Sequence, residues 1–563
     1  MRAKAIAAAT LTACALGASA SCLVVTPLDE LPEASGGRTS AGGASGKAGS
    51  GGGGRSGADG CSTHEDCASE GSGRGDPYLC RQEDGTCQRI KSEACPLVYG
   101  SGEDDELSSD AIVFGAFATL SPTAPDRNSV VYAHRLALEE LSGDNIGGLP
   151  PSDSDGARRP LTMVVCNNAA QHVETALAHL VSDLSVKAVL ATLKPGDLRR
   201  GFERHAKSDV LYLSPVAVTE TVAKLKDKDL VWNLLGQPAD AVPAYAALVK
   251  RLEPLLRKRH GLTADRSLRV ALVTTLDAFD SELATKVAEA LVFNGKSTQA
   301  NRAAGNYELF TATSTDAEHL NELATAILQL KPHLVVSAAS EVMTLPMTGI
   351  VDTLEAGWEP FTLDDPEPQA LPTYVLSPYN AGSLESVADT IAGLKEYTDE
   401  AEPQQRFVGI SFASAEDRSL QFEYETRLGS RFKGAYQDSA NYYDAVYFLA
   451  YAMHGAGTSE PLSGSSIARG MKRLLTGKTV DVGPKHILNA FQLLSTPDTT
   501  IQLSSTLGPP SFDPHSGVRS VNGSVFCFSR DGQLITVETD VLIYDREQAT
   551  FRHKRDFCFP LPE

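Results

Sequence analysis

From Asp110 onward the chain alternates between short apolar runs and longer stretches with apolar residues at helical spacing. Ile112 to Leu120 predicts a strand, and Val130 to Leu141, apolar at Val130, Val131, Leu136, Leu138 and Leu141, predicts a helix. Leu161 to Cys166 repeats the strand signal and Val173 to Leu184 the helix signal. The pattern is clearest between Lys187 and Thr219. There an apolar run (Ala188 to Leu193) ends in Lys194-Pro195-Gly196, a short helical segment follows, and a second run (Val210 to Leu213) ends in Ser214-Pro215. Runs without apolar–polar alternation are what strands buried on both faces require, as in parallel sheets. Two such strands joined by a helix make a βαβ unit, and ligands of open parallel sheets bind beyond the carboxyl ends of the strands. The turns at Leu193 to Gly196 and Ser214 to Val218 are therefore candidate halves of a small-molecule site.

A strand at Leu230 to Leu235 closes the first series, and Gln237-Pro238 breaks it. A long helix (about 239–257) opens a second series. Strands are predicted at Arg269 to Thr275, Glu308 to Thr313, His333 to Ala338, Thr373 to Ser377 and Arg406 to Ser411. Helices are predicted at Ser281 to Val292, His319 to Leu330 and near Thr344 to Ala356. After these come helices at Gln421 to Phe432, Asn441 to His454 and Ile467 to Leu475, then a strand pair at Ser524 to Phe528 and Leu534 to Ile543. Strands alternating with helices predict α/β architecture with parallel sheets. The expected fold is two doubly wound lobes joined near Gly236 by a hinge of several crossovers. Residues 110–236 and 421–500 are assigned to lobe one, and 237–420 and 501–545 to lobe two, with 546–563 as a C-terminal tail.

The start of the chain reads as a targeting signal. Arg2 and Lys4 precede an apolar, small-residue segment from Ala5 to Ala18, and Cys22 follows Ala18-Ser19-Ala20-Ser21. Small residues before a cysteine resemble a bacterial lipoprotein signal over 1–22 with Cys22 lipidated. Leu11-Thr12-Ala13-Cys14 makes Cys14 the rival, and an unlipidated secretory signal is the third reading. Residues 23–60, with Gly51-Gly52-Gly53-Gly54, have the composition of a flexible tether. Residues 61–95 hold Cys61, Cys67, Cys80, Cys87 and Cys95 among Gly, Asp, Ser and Pro, so this small module needs staples in place of a core. Cys61 with Cys80 and Cys67 with Cys87 are the expected pairs, although spacing does not fix connectivity. A zinc site is the alternative, without a CxxC spacing to support it. Arg74-Gly75-Asp76 reads as a polar loop.

The formal net charge of −21 argues against nucleic-acid binding. Apolar content of 42 % and charged content of 21 % are those of a globular protein, and no stretch beyond the signal reaches the roughly 20 apolar residues of a membrane span. Catalytic signatures are absent: neither GxSxG nor HExxH occurs. Gly477-Lys478-Thr479 imitates the end of a P-loop, but Lys472 stands where a glycine is required. The twelve histidines show no metal-ligand spacing. The expectation is a protein that is not an enzyme and carries no cofactor or metal.

Several segments resemble one family. Ile112 to Pro122 is similar to its opening strand and ligand loop, and Ala137 to Leu141 with Ile146-Gly147-Gly148 to its first helix and turn. Leu161 to Asn168 resembles the second strand, Leu213-Ser214-Pro215 a conserved turn, Asn441 to Tyr447 a late tyrosine-rich helix, and Gly508 to Asp513 a terminal GPxxFD-like element. Together, over about residues 110–545, they resemble the type I periplasmic substrate-binding proteins of the leucine/isoleucine/valine-binding kind. The resemblance implies lobes that close about a hinge on a small polar, amino-acid-like solute and deliver it to an ABC permease. A sensor or envelope scaffold reusing the fold is the alternative. It places the protein in the cell envelope, on the periplasmic or outer-membrane face, touching the membrane only through its lipid.

By the same resemblance the ligand positions are Ser121, Arg127, Lys194, Pro195, Gly196, Ser214, Val216, Val218, Phe279, Ala338 and Tyr379. Departures stand out: Lys194 to Asp197 lacks the family's serines, Val218 replaces a threonine, and Arg127 stands near an aromatic position. Asp277-Ala278-Phe279 fits an aromatic clamp. Lys194 and Arg127 could attract an anionic ligand; the plainer reading makes them solvated rim charges. Cys95 and Cys166 are expected to tie the small module to lobe one, with a free buried Cys166 as the alternative, leaving Cys527 to pair with Cys558.

Overall fold

The computed structural model describes residues 60–553 apart from 68–76, 82, 101–106, 144, 152–155, 340, 345–348, 359–369, 379–383, 395–401, 413–416, 434–438 and 532–533. The expected signal and tether, with Cys14 and Cys22, and the Arg74-Gly75-Asp76 loop lie outside the described residues.

The small module is a hairpin of β1 (Tyr78–Arg81) and β2 (Thr86–Arg89), turned at Gly85 with φ +66°. Disulfides join Cys61 to Cys80 and Cys67 to Cys87. The sulfurs of Cys61, Cys67 and Cys80 lie within 4.8 Å of one another, but disulfides use all three, which rules against the zinc alternative. The module does not hang free. A third disulfide joins Cys95 to Cys166, and Leu79, Ile90 and Ala94 are buried in a core of the first lobe. The N–H of Asn167 donates to Ala94 O at 2.8 Å, and the His179 ring meets Ile90 O at 2.8 Å. At His179 the helix Ala170–Ala178 widens into a turn over His179–Asp183, where a continuous helix is the simpler sequence expectation.

The first sheet holds β3 (Leu97–Tyr99), β4 (Ile112–Ala118), β5 (Leu161–Asn167), β6 (Ala188–Leu190), β7 (Leu211–Ser214) and β8 (Val231–Asn233). Their spatial order is β3-β5-β4-β6-β7-β8; only β3 is antiparallel. Helices Ser129–Ser142 and Ala440–Gly455 pack on one face, and Ala170–Ala178 and Pro195–His205 on the other. Burial on both faces explains why these strands are continuously apolar.

The chain leaves β8 through Gly236, whose φ is +78°. A Cβ there would come within 2.6 Å of Asp240 and 2.7 Å of Val521. The helix Pro238–Arg259 then leads into β9 (Val270–Thr275), a two-residue ribbon of β10 (Val292–Phe293) and β11 (Lys296–Ser297), β12 (Tyr307–Ala312), β13 (Leu334–Ser337), β14 (Thr373–Leu376) and β15 (Phe407–Phe412). The chain returns to the first lobe with helices Ser419–Arg431, Ala440–Gly455, Gly464–Lys472 and Ile487–Leu494 and a parallel ribbon of β16 (Lys478–Asp481) and β17 (Ile501–Ser504). It crosses a third time to β18 (Gly523–Asp531), β19 (Leu534–Asp545) and β20 (Thr550–His553). The second sheet runs β12-β9-β13-β14-β15-β18-β19-β20, parallel as far as β15 and antiparallel beyond. The first and third crossings are tied together: Asn233 N donates to Gly517 O at 2.8 Å, and Arg519 N to Asn233 O at 3.0 Å.

Two expectations need correction. Ile501 and Leu503 sit in the first core with the tyrosine-rich helix, so the last crossing follows Phe512 instead of residue 500. Thr550–His553, assigned to a C-terminal tail beyond lobe two, is the edge strand of the second sheet; Phe551 covers apolar surface there and β19 supplies its hydrogen bonds. Cys527 is disulfide-bonded, and its expected partner Cys558 lies outside the described residues.

Candidate ligand-binding site

The carboxyl ends of β6, β7 and β9 converge on a cavity of about 600 Å³ between the lobes. Pro195, Gly196, Arg199, Thr219 and Thr221 line it from the first lobe, and Leu276, Ser281, Glu282, Thr285 and Lys286 from the second. This volume is ordinary for a small-molecule site. On the first lobe, Pro195 opens the helix Pro195–His205 at the position where a missing N–H costs nothing. Its buried ring and the half-buried Gly196 form one wall. Nearby Thr192 is buried, its hydroxyl without a hydrogen bond among the described residues, while its carbonyl accepts from Asn168 Nδ2 at 3.1 Å.

The turn after β7 behaves differently from a hydroxyl-bearing ligand loop. Ser214 is fully buried and donates to Val216 O at 3.0 Å, and Asn233 also donates to that carbonyl. Asn441 donates to Pro215 O at 2.7 Å. Val218 is buried in the first lobe's core, and Ala217 reaches across into the apolar core of the second lobe. The turn is thus satisfied internally.

On the second lobe, Phe279 is fully buried among Leu283, Leu272 and Tyr245, so it cannot clamp a ligand in this arrangement. The resemblance implied an aromatic clamp at this position; the helix rotation, set by packing against the sheet, turns the ring inward. Ala338 is buried in the same core, and neighbouring Ser337 donates to Ala339 O at 3.1 Å. Leu276 is the side chain the cavity receives, 68 % exposed. Ser121, hydrogen-bonded with Thr123, and Arg127 are exposed on the loop after β4 and are not part of this cavity's wall. Tyr379 lies outside the described residues.

Charged groups meet across the mouth. Lys194, 76 % exposed, stands 3.7 Å from Asp277 of the second lobe. Lys286 Nζ donates to Glu220 at 3.0 Å, and the Glu282 carboxylate accepts the Glu220 backbone N–H with both oxygens, at 3.0 and 3.2 Å. Hydrogen bonds from Lys224 and then Lys286 hold the Glu220 carboxyl down to about 2. The bond to Glu220 raises Lys286, and burial raises Glu282 against the opposing Glu220 N–H. Sequence reasoning found the loops but missed Glu220, Glu282, Lys286 and Leu276. The helical spacing of residues 278–290 marks a polar face without saying that the face looks at another lobe.

No family model and no curated protein matches the chain. Solved structures do. The branched-chain amino acid transporter substrate binding protein LivJ from Streptococcus pneumoniae, in complex with isoleucine, aligns over 76 % of this chain and 99 % of its own at a TM-score of 0.50 and 14 % identity. A leucine binding protein from Thermotoga maritima aligns over 76 % of this chain and 97 % of its own, with a TM-score of 0.49 and 11 % identity. A solute binding protein from R. palustris in complex with benzoate covers 80 % of this chain and 100 % of its own, with a TM-score of 0.46 and 12 % identity. Among the described residues no helix is long and apolar enough to cross a membrane. Two doubly wound lobes on a three-crossing hinge, matched by LivJ over nearly its whole length, are the fold of the type I periplasmic substrate-binding proteins.

Proposed function

We propose that the protein is an extracytoplasmic, non-enzymatic binding protein that captures a small polar, amino-acid-like solute between its lobes. The observation that carries this reading is the cavity of about 600 Å³ walled by both lobes at the carboxyl ends of their strands. Its wall combines hydroxyls (Thr221, Ser281, Thr285), charges of both signs (Arg199, Glu289) and apolar side chains (Val222, Leu276), which suits a solute with polar and apolar parts. LivJ, of the same fold, is a transporter's binding protein holding isoleucine, and by extension this chain delivers its solute to an ABC importer. Lipidation at Cys22, or Cys14, would tether it to the envelope through residues 23–60.

A thermal-shift screen over amino acids, short peptides, amides and organic acids tests the reading, because a cleft ligand binds only the folded chain. One class should raise the melting temperature, and Leu276→Asp should abolish the shift; a screen in which no class stabilises the protein sinks it. Lys194 is already near Asp277, which favours the rim-charge reading over an anion site. Unchanged calorimetric affinity of Lys194→Ala for an acidic hit would close that question. The second reading is a sensor or scaffold, and direct contacts between the lobes, Lys194 with Asp277 and Lys286 with Glu220, support it. A neighbouring permease gene would support transport, and a neighbouring histidine kinase or cell-wall synthase the alternative.

A further inference from the structure

We infer that the cleft is self-latched: the protein's own side chains hold its lobes closed, with no solute needed to bridge them. The latch is one residue gripped by two. Glu220 opens the short helix Glu220–Ala223 after β7 and faces the second lobe, where Glu282 and Lys286 stand one helical turn apart on Ala278–Ala290. Glu282 takes the backbone N–H of Glu220, and Lys286 takes its carboxylate. Both reach the same residue because side chains four apart share one face of a helix. Lys224, from Glu220's own helix, also bonds that carboxylate and orients it. Lys194 with Asp277 adds a second point beside the cavity.

Apolar contact deepens the seal on the hinge side. Ala217 is 5 % exposed and belongs to the second lobe's core, although its chain neighbour Val218 stays with the first. At the cavity's mouth the polar groups of Glu220 are already paired across the lobes, its N–H with Glu282 and its carboxylate with Lys286. Closure usually follows the differential affinity of a ligand for the closed state. Here intramolecular contacts supply that bias, so a solute enters an already formed cavity. The inference does not rest on the transport reading.

The test is small-angle scattering of the whole chain, unfolded in urea and refolded to strip bound solute, together with hydrogen exchange at residues 216–224. Wild type should be compact, with the Glu220 amide protected. Glu282→Ala/Lys286→Met should raise the radius of gyration and exchange the Glu220 amide several-fold faster, whereas Lys286→Arg should keep the wild-type profile. Glu139→Gln, which removes an ion pair with Arg431 inside the first lobe, should change neither. Lys286→Met alone is the fallback should the double variant fold poorly. Solute-free wild type with the open profile overturns the inference, as does a double variant as compact and as protected as wild type. A failed solute screen touches neither measurement.

Discussion

Arg406 and Glu355 form a bidentate ion pair inside the second lobe, with N–H···O distances of 2.7 and 2.6 Å and neither side chain exposed. Tyr374 donates to the same carboxylate at 2.6 Å, and Arg406 also donates to Pro372 O at 2.9 Å. The pair pins the helix Ile350–Gly357 to the turn that enters β15, so the two buried charges neutralise each other. Removing one partner strands a charge in an apolar core. Arg406→Met should cost about 3–5 kcal/mol in urea unfolding, while Arg406→Met/Glu355→Leu should cost much less. Equal losses for both variants would show that the pair is not the source.

The first lobe uses a polar anchor of another kind. Glu140 accepts from Tyr443 and Tyr447, each at 2.6 Å, and from Arg427 at 2.7 Å. It ties the first helix of the lobe to the tyrosine-rich helix that returns from the far end of the chain. Tyr447→Phe removes one bond to a charged acceptor and should cost about 1.5–3 kcal/mol. A loss below 0.5 kcal/mol, on the order of a neutral surface change, would contradict the anchor.

His134 is fully buried against Tyr442, with neither ring nitrogen hydrogen-bonded among the described residues, and burial pushes its pKa down to about 3. Unfolded histidine takes a proton near 6.5, so between about pH 6.5 and 3 the unfolded chain binds a proton that the folded chain refuses. Stability is therefore complete above that window and falls as pH drops through it, by about 1.4 kcal/mol per unit. His134→Leu should lose about 2 kcal/mol less than wild type between pH 7 and pH 5 in paired urea titrations. Parallel pH profiles would disprove the assignment.

The cysteine module depends on its staples. Replacing Cys67 and Cys87 together by alanine frees a loop of 20 residues and should lower the module's stability by about 2–4 kcal/mol. Limited proteolysis should then cut within residues 60–90 while both lobes survive, because Cys95–Cys166 still secures the chain where the first lobe begins. Cleavage spreading into the lobes would show that the module supports them.

Much of the fold was legible because apolar runs have few solutions. Ala188 to Leu193 and Val210 to Leu213 announce strands buried on both faces, and a parallel pair needs a helical crossover, which the structure contains. The disulfides of the module were readable for the same reason: few apolar residues leave few other ways to hold it. Less legible were β3 and β20, three- and four-residue edge strands whose pairing comes entirely from β5 and β19. The same holds for Ile501 and Leu503, since an apolar residue does not say which of two cores it will fill.

The site shows the limit most sharply. Strand order and turn positions are local properties, so the sequence alone determined where a cleft must open: at Leu193 to Gly196, after Ser214, and after Thr275. Which side chains enter that cleft depends on helix rotation and on the facing lobe. Packing turned Phe279, Ala338 and Val218 into the cores, where burying them gains more than exposing them, and left Leu276 in the cavity. The grip of Glu282 and Lys286 on Glu220 joins residues more than sixty positions apart. No periodicity encodes such a contact; only two folded lobes brought together by their hinge can decide it.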